Sequence, residues 1–142
     1  MDRKLATIFA SDVVGFSKMM GIDEVNTLKI LKERRKVIDN IIDDHGGIIF
    51  GSAGDSVIAE FASPIKAAQA AVDTQLKMKT MNHGQDDSET MIFRVGMVQQ
   101  PFQNKPWRPF YDHLELAKTL FCQKLAFFKR IIQNRSDNPM LF

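Results

Sequence analysis

The sequence predicts an α+β fold in the order β-α-β-β-α-β, a ferredoxin-like arrangement. Three observations predict it. Short apolar runs at 4–12, 48–50, 57–61 and 91–97 alternate with two long stretches whose apolar residues recur at helical spacing. Glycine and aspartate mark the junctions, as in His45-Gly46-Gly47 and Gly54-Asp55. Only Gly51-Ser52-Ala53-Gly54-Asp55-Ser56 separates the two middle runs, which is short enough for a hairpin.

The first strand runs from Lys4 to Asp12 and ends in a tight connection at Gly15. Ser17 is placed to cap a short helical turn through Met20. Asp23 is placed to cap a long helix, along which Leu28, Leu31, Arg35, Ile38 and Ile42 recur on one face, widened by Val37 and Ile41. Gly46 and Gly47 end that helix, because glycine accepts the left-handed backbone of a helix C-terminus. The hairpin comes next, with its turn at Gly54-Asp55. In Ser63-Pro64 a capping hydroxyl precedes a proline suited to the first helical position, and an alanine-rich helix then runs to about Met81. Residues 82–90 are polar and read as an exposed loop before the strand Met91 to Met97.

After Met97 the style of the sequence changes. All eight glycines lie at or before Gly96. Pro101, Pro106 and Pro109 break up the next stretch, and Tyr111 to Gln133 has the apolar spacing of an amphipathic helix. The chain therefore divides into 1–97, the strand-and-turn part, and 98–142, a tail that is first proline-broken and then helical. A shifted reading frame near codon 97 and a genuine variation both account for this change.

Composition narrows the function. At 142 residues the chain suits one domain with a real core. A hydrophobic share of 44% and a charged share of 25% are those of a soluble globular protein. A net charge of +2 is too weak to argue for nucleic acid, and the basic run Lys32-Glu33-Arg34-Arg35-Lys36 falls in a helix and reads as a solvated face. No apolar run approaches the ~20 residues needed to cross a bilayer. The N-terminus does not read as a signal peptide, and the single Cys122 excludes an internal disulfide. A cytoplasmic location is expected. His45 reads as a helix-end residue, and Arg94, within an apolar strand, as an ion-pair partner.

Two aspartates carry the chemical signal. In this strand order the first strand and the hairpin lie side by side, so Asp12 at a strand end and Asp55 in the hairpin turn can converge. Each alone reads as a turn or cap residue. Together, their hard oxygen ligands suit Mg2+ or Mn2+, which bind through one or two carboxylates plus substrate phosphates. The backbone from Val13 to Ser17, with Gly15 allowing close approach, can face phosphate oxygens.

The stretches Ala10-Ser11-Asp12-Val13-Val14-Gly15-Phe16-Ser17, His45-Gly46-Gly47, Gly54-Asp55-Ser56-Val57-Ile58-Ala59-Glu60-Phe61 and Phe93-Arg94-Val95-Gly96, in this order and spacing, resemble the N-terminal two-thirds of a class III adenylate/guanylate cyclase catalytic domain of the bacterial type. The resemblance implies cyclisation of ATP or GTP to a 3′,5′-cyclic nucleotide and pyrophosphate, with two metal ions, Mg2+ or Mn2+, in a dimer whose sites lie at the interface. It implies that Asp12 and Asp55 are metal ligands and that the Val13 backbone adds a metal contact. It places Gly15, Phe16 and Ser17 in the phosphate-contacting turn, and Gly51 at the base-recognition position, where many adenylate-specific members carry lysine.

The tail departs from that family. Members continue with a glycine-rich strand pair and then a helix bearing an asparagine and, four residues on, an arginine that stabilises the transition state. Asn134 and Arg135 are adjacent, and Arg130 and Asn134 have the spacing in reverse order. Neither role is carried onto any residue. Three readings remain: a cyclase domain that is weak or inactive alone, a non-catalytic cyclase-like module that holds metal and nucleotide or pairs with a complete cyclase, and a truncated gene product. Homodimers or heterodimers with a complete cyclase domain are the implied partners.

Overall fold

A computed structural model describes residues 3–103. The elements are β1 (Arg3–Val13), α1 (Phe16–Ile22), α2 (Glu24–Asp44), β2 (Ile48–Ala53), β3 (Ser56–Phe61), α3 (Pro64–Asn82) and β4 (Phe93–Gln103). The expected helix Tyr111–Gln133 lies outside the described residues. The four strands form one sheet in the order β2-β3-β1-β4, with every neighbouring pair antiparallel. β1 is central: residues 7–11 pair with β3, and residues 3–13 pair with β4.

Alternation along the strands decides what each face does. Phe9 and Val13 of β1, Val57, Ala59 and Phe61 of β3, and Phe93 and Val95 of β4 point into the main core. There they meet Ile30, Leu31, Ile38 and Ile42 of α2 and Ala67, Ala70, Ala71 and Met78 of α3. The Phe9 and Phe61 rings are tilted by 50° with centroids 6.0 Å apart, an arrangement that adds to burial worth ~1.5–3 kcal/mol per large side chain. The intervening residues Ile8, Ala10 and Ile58 form a second buried cluster with Phe50 and Val98 on the opposite face.

The caps follow local chemistry. The Asp23 carboxylate accepts from the Asn26 amide at 3.0 Å, and the Ser63 hydroxyl from the Lys66 amide at 3.3 Å. Gly46 ends α2 with φ at +78°. Gly47 is required by space. A Cβ there would lie 2.5 Å from Cζ of Phe61 and 2.7 Å from Cγ2 of Ile42. His45, the α2 C-cap, joins two helices: Nδ1 lies 2.8 Å from the Ile41 carbonyl and Nε2 3.0 Å from the Asp73 carboxylate of α3.

Several details differ from the sequence expectation. Ser17 is not a cap. Gly15, in the left-handed region, precedes α1, and no side chain caps it. On α2, Thr27 and Arg34 are buried while Leu28 is 44% exposed, so the buried stripe is rotated from the one the leucines suggest. The basic run is not wholly a solvated face. Arg34 is 6% exposed and donates to the Met81 carbonyl at 3.2 Å. Burial pulls its guanidinium below the ordinary arginine value, with Glu33 acting the other way. The last strand starts at Phe93 and does not stop at Met97. It runs to Gln103, with Pro101 opposite Leu5. Proline is tolerated there because, in the described sheet, β4 has a neighbour on one side only.

Candidate functional site

The hairpin between β2 and β3 closes through two residues, Gly54 and Asp55, with Gly54 at φ +57°. A two-residue turn with a left-handed glycine suits the twist of antiparallel strands. It leaves Asp55 at the tip of the hairpin, beside the end of β1. The β1–β3 ladder pairs Ser11 with Val57 at that end. Val13 and Asp55 are the next residues to meet, and the Val13 amide donates to Oδ2 of Asp55 at 2.9 Å. This bond spans 42 positions of chain and brings Asp55 to the residue that follows Asp12.

Asp12 sits on the other side of the same strand end. Its cross-strand partner is Arg94 of β4. The pair is bidentate: Nε of Arg94 donates to Oδ1 of Asp12 at 2.6 Å and Nη2 to Oδ2 at 2.5 Å. Both residues belong to the face opposite α2 and α3, because they alternate with Val13 and with Phe93 and Val95. Arg94 is the ion-pair partner expected of it. Gly51 reaches this face too. It is buried opposite Ile58, where β2 has a register irregularity between Ile49 and Gly51.

Gly15, Phe16 and Ser17 come directly after β1. The backbone turns at Gly15, φ +69°. The Phe16 side chain is partly buried against the main core, whereas Ser17 is exposed. The Val14 amide donates to the Ile92 carbonyl at 2.8 Å and ties this turn to the approach to β4.

The donor set can be judged against a divalent metal. Each carboxylate oxygen has two acceptor positions. Oδ2 of Asp55 uses one on Val13, and each oxygen of Asp12 uses one on Arg94. Acceptor capacity therefore remains on both groups, and hard oxygens are what Mg2+ and Mn2+ take. No third acidic, histidine or cysteine side chain joins them among the described residues. That fits a metal completed by phosphate and water better than one enclosed by protein. Asn134, Arg135 and Arg130 lie outside the described residues.

Sequence reasoning missed the side chains that hold this site in place. Arg35 of α2 donates through Nη1 to the Ser52 hydroxyl at 3.3 Å and to the Ser56 carbonyl at 3.2 Å. Asn82, at the end of α3, bonds both backbone groups of Met91, as donor at 2.8 Å and acceptor at 3.1 Å. Gln75 donates to the Phe93 carbonyl at 2.8 Å. One signal was visible: an arginine, Arg35, stood at an apolar-stripe position.

No family model matches the chain. A protein of Rhizobium meliloti (strain 1021) named "Putative adenylate cyclase 3" is 34% identical over 96 residues, 67% of this chain and 16% of its own length. The chain therefore spans about a sixth of that relative. A solved adenylate/guanylate cyclase/hydrolase from Silicibacter pomeroyi superposes with a TM-score of 0.67 at 28% identity, covering 84% of this chain and 70% of that one. The adenylyl cyclase CyaB from P. aeruginosa shares the fold at 22% identity, with a TM-score of 0.60 over 70% of this chain and 58% of that one. With the ordered motifs and the sheet topology that carries them, these likenesses place the chain in the class III adenylate/guanylate cyclase family.

Proposed function

We propose that the chain is a nucleotide cyclase-like domain that binds ATP or GTP with Mg2+ or Mn2+ through Asp12 and Asp55, and that it turns over weakly or not at all by itself. The observation that carries this reading is the 2.9 Å bond from the Val13 amide to Asp55, which brings the hairpin turn to the end of β1 beside Asp12. Bound metal would supply charge neutralisation of the triphosphate and activation of the attacking ribose hydroxyl. The chain's own residues do the rest. Asp55 is oriented by Val13, Asp12 by Arg94, and the backbone of the Gly15–Ser17 turn is the part offered to phosphate oxygens. The Phe16 side chain is taken up by the core, so its contribution there is restricted to backbone. Gly51 offers no side chain to read a base, so the geometry favours neither ATP nor GTP.

In residues 98–142 an asparagine is followed four positions later by an arginine only in Asn104-Lys105-Pro106-Trp107-Arg108. Pro106 falls between the two, where a helix interior would lose a backbone hydrogen bond, so this pair does not match the helix-borne pair of the family. Loss of a positioned arginine from a phosphoryl-transfer site costs ~10³-fold or more in rate. A partner cyclase domain that carries the pair would supply it, which is the alternative reading: a module that holds metal and nucleotide or pairs with a complete cyclase.

Calorimetric titration of the purified chain with Mn2+ and a non-hydrolysable ATP or GTP analogue tests binding, and a cyclic-nucleotide assay tests turnover. Binding lost in Asp55→Ala, with negligible product, is expected. No heat with either analogue would count against both readings, and robust metal-dependent product abolished by Asp12→Ala would overturn the claim of weak activity.

A further inference from the structure

Arg35 sits on α2, yet its guanidinium reaches both strands of the hairpin at the turn end. Nη1 lies 3.3 Å from the Ser52 hydroxyl of β2 and 3.2 Å from the Ser56 carbonyl of β3, and Nη2 lies 3.4 Å from Ser52. Nε and Nη2 are each 3.4 Å from Oδ1 of Asp39 one helical turn on, which orients the fork. Ser52 and Ser56 flank the turn, and Asp55 lies between them. The hairpin needs such a hold. β2 has a register irregularity between Ile49 and Gly51, and Ser52 and Ala53 are exposed. Strand pairing alone therefore fixes this end of β2 weakly. The arginine side chain is only 15% exposed, and its bond to the Ser56 carbonyl is partly buried, whereas Ser52 stands at the surface.

We propose that Arg35 is a positioning residue: by clamping Ser52 and Ser56 it fixes the Gly54-Asp55 turn and so keeps the Asp55 carboxylate on the Val13 amide. This deepens the metal-binding reading and rests on it for its functional consequence, but the contact it predicts is measurable without metal. The Val13 amide, whose acceptor is Asp55, is the reporter.

Native-state hydrogen exchange on the full chain, followed residue by residue, tests it. In Arg35→Ala the Val13 amide is expected to exchange about tenfold faster, the equivalent of one net hydrogen bond, while the Phe9 and Ala59 amides keep their protection. Mn2+ affinity is expected to fall about tenfold, and Arg35→Lys to restore part of both effects. Unchanged Val13 exchange in Arg35→Ala overturns the inference. So does an equal loss at Val13, Phe9 and Ala59 that Arg35→Lys does not relieve, because that pattern marks general destabilisation. If wild type takes no Mn2+ while Val13 still loses protection selectively, Arg35 positions Asp55 and the metal reading falls. Should Arg35→Ala not fold, Ser52→Ala removes one end of the clamp without touching the charge, and the same selective change at Val13 decides.

Discussion

Asp12 and Arg94 face each other across β1 and β4, and the guanidinium holds both carboxylate oxygens, at 2.6 and 2.5 Å. The pair joins the first and last described strands 82 residues apart in the chain. Its stabilising role and any metal role of Asp12 therefore draw on the same two oxygens.

Removing the cation separates these roles. Arg94→Met leaves Asp12, 16% exposed, without its bidentate partner. A stability loss of about 1–3 kcal/mol is expected in urea unfolding. Mn2+ binding in the absence of nucleotide is expected to tighten several-fold by calorimetry, because the positive charge beside the carboxylate is gone.

Asp55 is tested by a pair of substitutions. Asp55→Asn keeps an oxygen for the Val13 amide and removes the charge. Asp55→Ala removes both. Thermal unfolding should show Asn close to wild type and Ala about 1 kcal/mol less stable. Mn2+ titration should show weakened binding in both, by roughly tenfold or more.

Gly47→Ala tests the packing behind the hairpin. The new methyl would stand 2.5 Å from Phe61 and 2.7 Å from Ile42, both fully buried and unable to give way. A destabilisation of about 1–3 kcal/mol is expected from the urea midpoint. Gly54→Ala meets no atom within 4 Å, so its cost, about 1 kcal/mol, is expected from the positive φ alone.

Asn82→Ala strips both hydrogen bonds from the Met91 backbone, and Met91 is 0% exposed. Leaving a buried donor and acceptor unmet should cost about 2–4 kcal/mol. Exchange at Val14 should quicken with it, because that amide donates to Ile92, the next residue along.

The features legible in the sequence were those that local chemistry determines. Asp23 and Ser63 announced helix starts because a cap needs only an amide three residues away. The Gly54-Asp55 turn was legible because a short hairpin has few solutions. The pairing of β1 with the hairpin came from element order. The residues that hold these parts together were not legible. Arg34, Arg35, Gln75 and Asn82 bond to partners 9 to 47 positions away, and nothing in their neighbourhood names those partners. Ser17 misled for a related reason: a serine near a helix start suggests a cap, but Gly15 and the core-packed Phe16 set where α1 begins. Leu28 misled because a helix face is chosen by what packs on it, and here Thr27 and Arg34 turn inward.

β1 is a partition. Its odd-numbered end residue, Val13, turns a methyl-bearing side chain into the helical core, while its even-numbered neighbour, Asp12, turns a carboxylate to the far side. One strand therefore answers substitution in two ways. Changes at 9 and 13 are felt through packing against the helices, and changes at 12 through the ion pair with Arg94 that ties β1 to β4.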